Sequence, residues 1–380
     1  MNMKQTNFSP MKKNKRNCTL CDGETNNLFT IKMPAFMGVN KDNIVESIND
    51  MSFDVCNFCG EVQINELLDL NVIYHNNHNI NVIGNIWEQH YIKFSEFIKD
   101  TIKNKTILEI SDPSAKIAKL SQEFKKWYII EPNSEKIDLP NVEFINNFFD
   151  ESFNTLNNVD VIIHSHLLEH IHNPMSFFNK CNEVLTKDGV MLISIPDMDY
   201  ILSKNYLPNN ILHFEHTYFL NSEILEMFSN HSGFKIVETF KYDNHSIFYK
   251  LKKDSSIIKK PIKLEISKKF KDNYKNCINN INNINNKLLN YKDHNVYIFG
   301  AHVSSQFYLF NGLDKTKIKY IIDNDGNKQN HRLYGTELYV KNPDIIDCEK
   351  ECVVICSHIG IYYDEIVKQL TKINNNIIIL

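Results

Sequence analysis

Between residues 106 and 196, apolar β-branched runs alternate with helical patterns: "TILEI", a helix from Pro113, "WYIIEP", "VDVIIHS", a helix around "PMSFFNKCNEVL", then "GVMLISIP". Strands of near-continuous apolar character have to be covered on both faces, and the helices between them supply crossovers, so the pattern restricts this stretch to a parallel sheet flanked by helices. That is doubly wound α/β architecture, in which ligands bind beyond the carboxyl ends of the strands. Ahead of it, Trp87, Tyr91, Phe94, Phe97, Ile98 and Ile102 recur at helical spacing and predict an amphipathic helix. Behind it lies a Lys- and Asn-rich stretch without strand signals. There Ile278, Ile281, Ile284, Leu288 and Tyr291 share one helical stripe, as in a connecting helix laid against another module. The β/α pattern restarts with "NVYIFGA", "IKYIIDND" and "CVVICS", a second, smaller parallel-sheet domain.

Cys18 and Cys21 form one C-x2-C knuckle, and Cys56 and Cys59 form another. Two such knuckles aim four sulfurs at one point and predict a tetrahedral, structural Zn²⁺ site, without which so small a knob would bury too little surface to fold. The expected organisation is a zinc-binding module over 1–70, a central α/β domain over 71–252, a helical linker over 253–293 and a C-terminal α/β domain over 294–380. Cys352 and Cys356, in an apolar strand, read as core thiols.

A net charge of −4 gives no electrostatic reason for nucleic acid or an acidic membrane as partner. The basic cluster Lys12, Lys13, Lys15 and Arg16 reads as a solvated tail. No apolar run approaches the roughly 18 residues that cross a bilayer, and no apolar segment follows the N-terminal charges. A cytoplasmic protein is expected, as a monomer or homodimer.

The turn after "TILEI" reads Ser111, Asp112, Pro113, Ser114, Ala115, with no glycine where a nucleotide-binding loop usually has several. Pro113 suits a first helical position and Asp112 a cap, so the turn is definable. Side chains at Ser111 and Ala115 are expected to crowd the place where a cofactor would lie. Glu131 ends the next strand 22 residues after Glu109, a spacing that suits an acid accepting hydrogen bonds from a ribose diol.

Two clusters join histidine to acid. "HSHLLEHIHNP" gathers His164, His166, Glu169, His170 and His172; within it His166, Glu169 and His170 spell H-x-x-E-H, the inverted zinc-peptidase pattern, which needs a helix through both histidines. "ILHFEHTYF" holds His213, Glu215 and His216 just beyond the strand end "SIPD", where a general base is expected.

The chain resembles, along nearly its whole length, the sugar C-methyltransferase family of class I S-adenosylmethionine enzymes. "LEISDPS" stands where that family has an E-I-G-S-N-D-G type loop. "HLLEHIHNP" matches its H-x-L-E-H-x-x-x-P signature and "HFEHTYF" resembles its Y-H-E-H-x-x-Y-F, with His213 and Phe214 in place of tyrosine and histidine. "VYIFGA", "IIDNDGNKQNHRLYGTEL" and "NPDII" look like elements of its last domain.

The resemblance implies a Rossmann-like class I methyltransferase domain between a small zinc module and a smaller Rossmann-like lid domain. It implies S-adenosylmethionine as methyl donor and a nucleotide-linked keto-sugar as substrate, in surface-polysaccharide or glycan biosynthesis. Glu109, Ser111, Asp112, Ser114, Glu131 and His166 would then face the cofactor. His216, oriented by Glu215, is the candidate base, and Tyr74 or a histidine of the middle cluster, His166 or His170, would donate to the enolate oxygen. O- or N-methyl transfer on a sugar, a non-catalytic scaffold with a degenerate loop, and the zinc peptidase are the competing readings.

Overall fold

The computed structural model describes residues 14–41, 46–69, 73, 85–132, 137–203, 211–254, 265–357 and 363–380. At the N-terminus, β1 (Thr25–Pro34), β2 (Ile48–Cys56) and β3 (Val62–Ile64) form an antiparallel sheet. Its apolar face, with Ile31, Met33, Met51, Phe53, Val62 and Ile64, is fully buried. The sequence pattern did not announce these strands, because polar residues interrupt the alternation at Asn26, Asn27, Asn49 and Asp50.

The helix α1 (Asn85–Ile102) leads into β4 (Thr106–Ile110), α2 (Lys116–Leu120), β5 (Lys126–Ile130), β6 (Val142–Ile145), β7 (Val159–Ser165), α3 (Pro174–Val184), β8 (Leu185–Pro196) and α4 (Met198–Ser203). Then α5 (Ser222–His231) precedes an antiparallel hairpin of β9 (Phe234–Tyr242) and β10 (Ser246–Lys253). The seven strands lie in the order β9-β10-β8-β7-β4-β5-β6. From β8 to β6 every pairing is parallel, and β10 joins β8 antiparallel. Reversal at β4, whose neighbours are β7 and β5, creates the crevice at the carboxyl edge where such sheets take ligands.

Residues 265–357 and 363–380 carry the long helix α6 (Ile266–Leu288), then β11 (Asn295–Phe299), α7 (Val303–Phe310), β12 (Ile318–Ile322), β13 (Val340–Lys341), β14 (Cys352–Cys356), α8 (Tyr363–Ile373) and β15 (Ile377–Ile379). The five strands form an all-parallel sheet ordered β13-β12-β11-β14-β15. Phe270, Cys277, Ile281, Ile284 and Leu288 make the buried stripe of α6; Tyr291 lies past its end. Phe29 of β1 stacks on Tyr274 of α6, centroids 4.1 Å apart and 3° from parallel.

The N-terminal sheet is clipped to this last sheet. Gln306 of α7 donates to the carbonyls of Phe36 and Tyr334 and accepts from the Gly38 amide. Val39–Asn40 pairs antiparallel with Arg332–Leu333. Arg332 forks onto both oxygens of Glu46 at 2.8 and 3.3 Å, and the Gly335 amide donates to the same carboxylate at 2.6 Å. Gly335 has φ +79°, and a Cβ there would meet Phe310, Ile48 and Pro34 at 3.0 Å or less, so the close approach needs glycine. Arg332→Ala is expected to cost about 1–2 kcal/mol in urea unfolding, since a bidentate pair this sheltered exceeds an ordinary surface pair; an unchanged midpoint would show that the fork does not hold the modules.

Candidate active site

The turn after β4 answers the question raised by its missing glycines. Ser111 and Ala115 adopt φ of 67° and 51°, the left-handed conformation that glycine would take most easily. Ala115 in that conformation delays the helix, so α2 starts at Lys116 rather than at Pro113 as expected. Asp112 accepts from the Ser114 and Ile117 amides, both 3.2 Å, which closes the turn and caps α2. The crowding expected at two positions is confined to one. The Ala115 methyl is buried in the core with Phe94, Ile107 and Trp127, whereas Ser111 is exposed.

The structure divides the expected cofactor residues. Glu109 is fully buried and accepts from Trp127 Nε1 at 2.8 Å; burial pushes its carboxyl well above the ordinary range, so it braces the strands and is not presented at the turn. Both Asp112 oxygens are engaged by the turn itself. Ser111 and Glu131 are neighbours at the carboxyl edge, because the Ser111 amide binds the Ile130 carbonyl at 3.0 Å. The edge therefore places exposed Ser111 beside the buried acid Glu131. Tyr91 of α1 lies over the same turn, with Lys116 Nζ 4.8 Å from its ring.

His166, in the left-handed region at φ 48°, leads away from β7. Its Nε2 meets Ser246 Oγ at 2.8 Å and its Nδ1 lies 3.5 Å from Glu169 Oε1. With both ring nitrogens engaged, His166 is not available as the expected donor to a substrate oxygen. His245 Nδ1 shares Ser246 Oγ at 2.7 Å, and His90 Nε2 meets Ser194 Oγ at 2.9 Å. The Trp87 ring packs against His166 and His245, at 4.7 and 4.5 Å between centroids. Burial lowers the His90 imidazole to about 2 and that of His245 to about 3, so these two rings are neutral at pH 7. His90, His245 and Ser246 carried no sequence signal, being distant in the chain and outside any motif.

Leu168–His170 is a single 3-10 turn, so the helix that an H-x-x-E-H peptidase needs is absent there, and His166 faces Ser246 instead of sharing a face with His170. His164 is apart from both clusters, buried against Phe177 with its ring centroid 5.5 Å away. The 213–219 segment is drawn onto the turn by Thr217 N donating to the Glu169 carbonyl at 3.1 Å and Tyr218 Oη donating to the Leu168 carbonyl at 2.6 Å. Those bonds bring His216 Nε2 to 3.0 Å from His170 Nε2, rings perpendicular at 89°. Glu215 Oε2 lies 4.0 Å from His170 Nδ1. The Glu215 carboxylate expected to orient His216 thus also approaches His170. Burial raises the Glu215 carboxyl to about 7. Tyr74 lies outside the described residues.

The four cysteines converge, with all sulfurs within 4.8 Å of one another. Cys18 and Cys59 are 3.5 Å apart, Cys21 and Cys56 3.4 Å. A tetrahedral ion with sulfur bonds of about 2.3 Å separates its ligands by only slightly more, so the donor set and its spacing fit a thiophilic ion. Gly23 is required beside it, since a Cβ there would meet Phe58 at 2.5 Å and the Cys21 sulfur at 3.2 Å. Glu61, buried behind Cys18, bonds its sulfur at 3.0 Å and Thr19 Oγ1 at 2.8 Å.

Arg16 corrects the reading of the basic cluster as a solvated tail; Lys12 and Lys13 lie outside the described residues. The Arg16 guanidinium donates to the carbonyls of Ile64 and His172, each at 3.1 Å, and to that of Thr217. Burial lowers its pKa to about 10. Beside it, Ile64 N donates to the Thr217 carbonyl and Phe219 N to the Val62 carbonyl, so β3 of the cysteine module pairs with the chain that carries His216.

Ser111→Gly is expected to stabilise the chain by about 0.5–1 kcal/mol in thermal unfolding, the relief of a left-handed serine less the extra backbone freedom of glycine; a loss of stability would contradict the strain. Arg16→Ala should cost about 2–4 kcal/mol, since three buried carbonyls lose charged donors, and Arg16→Lys should not restore it, lacking the fork. Full recovery with lysine would count against the three-way clip.

Residues 93–193 match the family model described as "Methyltransferase domain". Among curated proteins none matches the chain. Similar solved structures include the 1,6-didemethyltoxoflavin-N1-methyltransferase of Burkholderia thailandensis with bound 1,6-didemethyltoxoflavin and S-adenosylhomocysteine. It is 12% identical, covers 45% of this chain and 82% of its own, and has a TM-score of 0.36. The N-methyltransferase NodS of Bradyrhizobium japonicum WM9 with S-adenosylhomocysteine is 9% identical over 47% of this chain and 92% of its own, TM-score 0.34. A putative S-adenosylmethionine-dependent methyltransferase of Listeria monocytogenes is 15% identical over 44% and 98%, TM-score 0.34. At these scores the likenesses bear on no substrate. Residues 93–193, from α1 through most of β8, are a methyltransferase domain of Rossmann-like α/β fold.

Proposed function

We propose that this methyltransferase domain methylates a carbon next to the carbonyl of a nucleotide-linked keto-sugar, in surface-polysaccharide or glycan biosynthesis, with His216 as the base. The observation that carries the reading is the pair of buried His216 and partly buried His170, joined at 3.0 Å with Glu215 beside it. A C–H next to a carbonyl is a weak acid, and its removal needs a base sheltered from water beside groups that accept the charge. An acceptor oxygen or nitrogen would ask less of the protein than this buried assembly offers.

S-adenosylmethionine, when bound, supplies an electrophilic methyl on a sulfonium centre. The residues that fit it are Glu131 for the ribose diol and Ser111 with the turn amides for close approach. The wall of Trp87 and His245 supports seating of a cation, since burial keeps His245 neutral and a charged imidazole there would repel it. The retained left-handed turn favours a working cofactor loop over a degenerate scaffold. In the cysteine module Cys18, Cys21, Cys56 and Cys59 are proposed to hold a structural Zn²⁺.

In calorimetry the chain is expected to bind S-adenosylhomocysteine saturably, and in D₂O to exchange the α-proton of a nucleoside-diphosphate keto-sugar. His216→Asn should slow exchange about 10²- to 10⁴-fold with cofactor affinity unchanged. Exchange surviving in that variant would remove His216 as base, and absence of heat at millimolar ligand would remove the enzyme reading. Metal analysis should find one zinc per chain, lost in Cys18→Ser; a metal-free wild-type knob would contradict the zinc assignment.

A further inference from the structure

Resting on the reading above, we infer that His170 relays the proton from His216 to Glu215, so that the base is a chain of three side chains. Two imidazole nitrogens 3.0 Å apart are hydrogen-bonded only if one carries the proton and the other offers a lone pair. When His216 Nε2 donates, His170 Nε2 accepts, and the single proton of neutral His170 then sits on Nδ1. That nitrogen is the one turned to Glu215 Oε2, 4.0 Å away. Among the described residues Glu215 Oε2 is buried with no hydrogen-bond donor, which leaves it as an acceptor beside the pair. The sequence places Glu215 next to His216, and the fold brings its carboxylate to the Nδ1 side of His170.

Each transfer balances. The C–H bond beside the carbonyl breaks, its electron pair moves into the C–C–O system to give the enolate, and the proton goes to the His216 nitrogen not turned to His170. The proton on His216 Nε2 passes to His170 Nε2, and that on His170 Nδ1 passes to the Glu215 carboxylate as the gap closes to hydrogen-bond length. Both imidazoles end neutral, and Glu215 ends as a neutral acid. Burial holds its carboxyl near 7, so it accepts and later releases a proton around neutral pH. Glu169 stabilises the imidazolium stage. Burial opposes its ionisation, but the hydrogen bond from His166 and the charges of His166 and His170 outweigh burial and hold Glu169 below its ordinary value. The same turn is fixed by Thr217 N on the Glu169 carbonyl, which locks the two histidines in register.

The test uses His170→Gln, Glu215→Gln and the double variant of the full chain, read by α-proton exchange from a nucleoside-diphosphate keto-sugar in D₂O. Each single change should lower exchange and kcat about 10²-fold, with KM and S-adenosylhomocysteine affinity within about twofold. The double variant should be no slower than the worse single, because members of one chain fail as a unit. Multiplied losses, or full exchange in His170→Gln, would overturn the relay. Nitrogen-15 NMR of the wild-type imidazoles decides it without substrate: His216 should show Nε2–H and His170 Nδ1–H, and the reverse tautomers would overturn it. One donor atom each of Glu169, His170 and His216 lies within 4.8 Å of the others; a divalent ion found bound there, beyond the one of the cysteine knob, would occupy the lone pairs of the relay and overturn it too. A wild-type chain that binds S-adenosylhomocysteine but exchanges no proton would defeat the C-methylation reading, while the tautomers still report on the relay.

Discussion

The site depends on the pairing of β3 with the segment carrying His216. Ile64 and Phe219 exchange backbone hydrogen bonds across that seam with Thr217 and Val62, and Arg16 closes it by holding carbonyls from β3, from the turn after His170 and from Thr217 itself. The seam turns a small cysteine-bearing sheet into the backing of an active site. Without it the 213–219 segment would lose its pairing to β3 and keep chiefly its bonds to Glu169, Leu168 and Ile171, fewer contacts with which to hold the two histidines at 3.0 Å.

From the seam the chemistry divides along the sheet edge. On one side lie the glycine-free turn and Glu131, the proposed cofactor seat. Beside them Trp87, His166, His245 and Ser246 form a wall whose ring nitrogens are engaged or neutral. On the other side lie His170, Glu215 and His216, with Glu169 reaching toward both groups. Among the described residues no helix is long and apolar enough to cross a membrane. The cysteine module thus contacts the histidine segment through β3 and Arg16 and the last sheet through Glu46 and Gln306, joining three parts of the chain.

The legible and illegible parts of the fold separate for physical reasons. Strands β4, β5, β7 and β8 are buried on both faces, so their apolar runs are continuous and easily read. The hairpin of β9 and β10 escaped because β9 is largely exposed, with Lys235, Glu238 and Lys241 along it. The doubled C-x2-C was legible since metal geometry fixes its spacing. Arg16 was not: among lysines it looks like tail, and only three carbonyls from distant segments give it a role. Motif spacing singled out His170, Glu215 and His216, but the approach of Glu215 to His170 depends on how two loops cross, which no local pattern encodes. Likewise a serine and an alanine in left-handed conformation are invisible until the backbone is seen.

Hydrogen–deuterium exchange with and without a zinc chelator tests the central claim most directly. The account predicts that stripping the cysteine knob deprotects Ile64 and Phe219 together with β1 and β2, while β7 and β4 stay protected. Continued protection of Phe219 after β1 and β2 have opened would show that the histidine segment stands without the cysteine module, and would contradict the account.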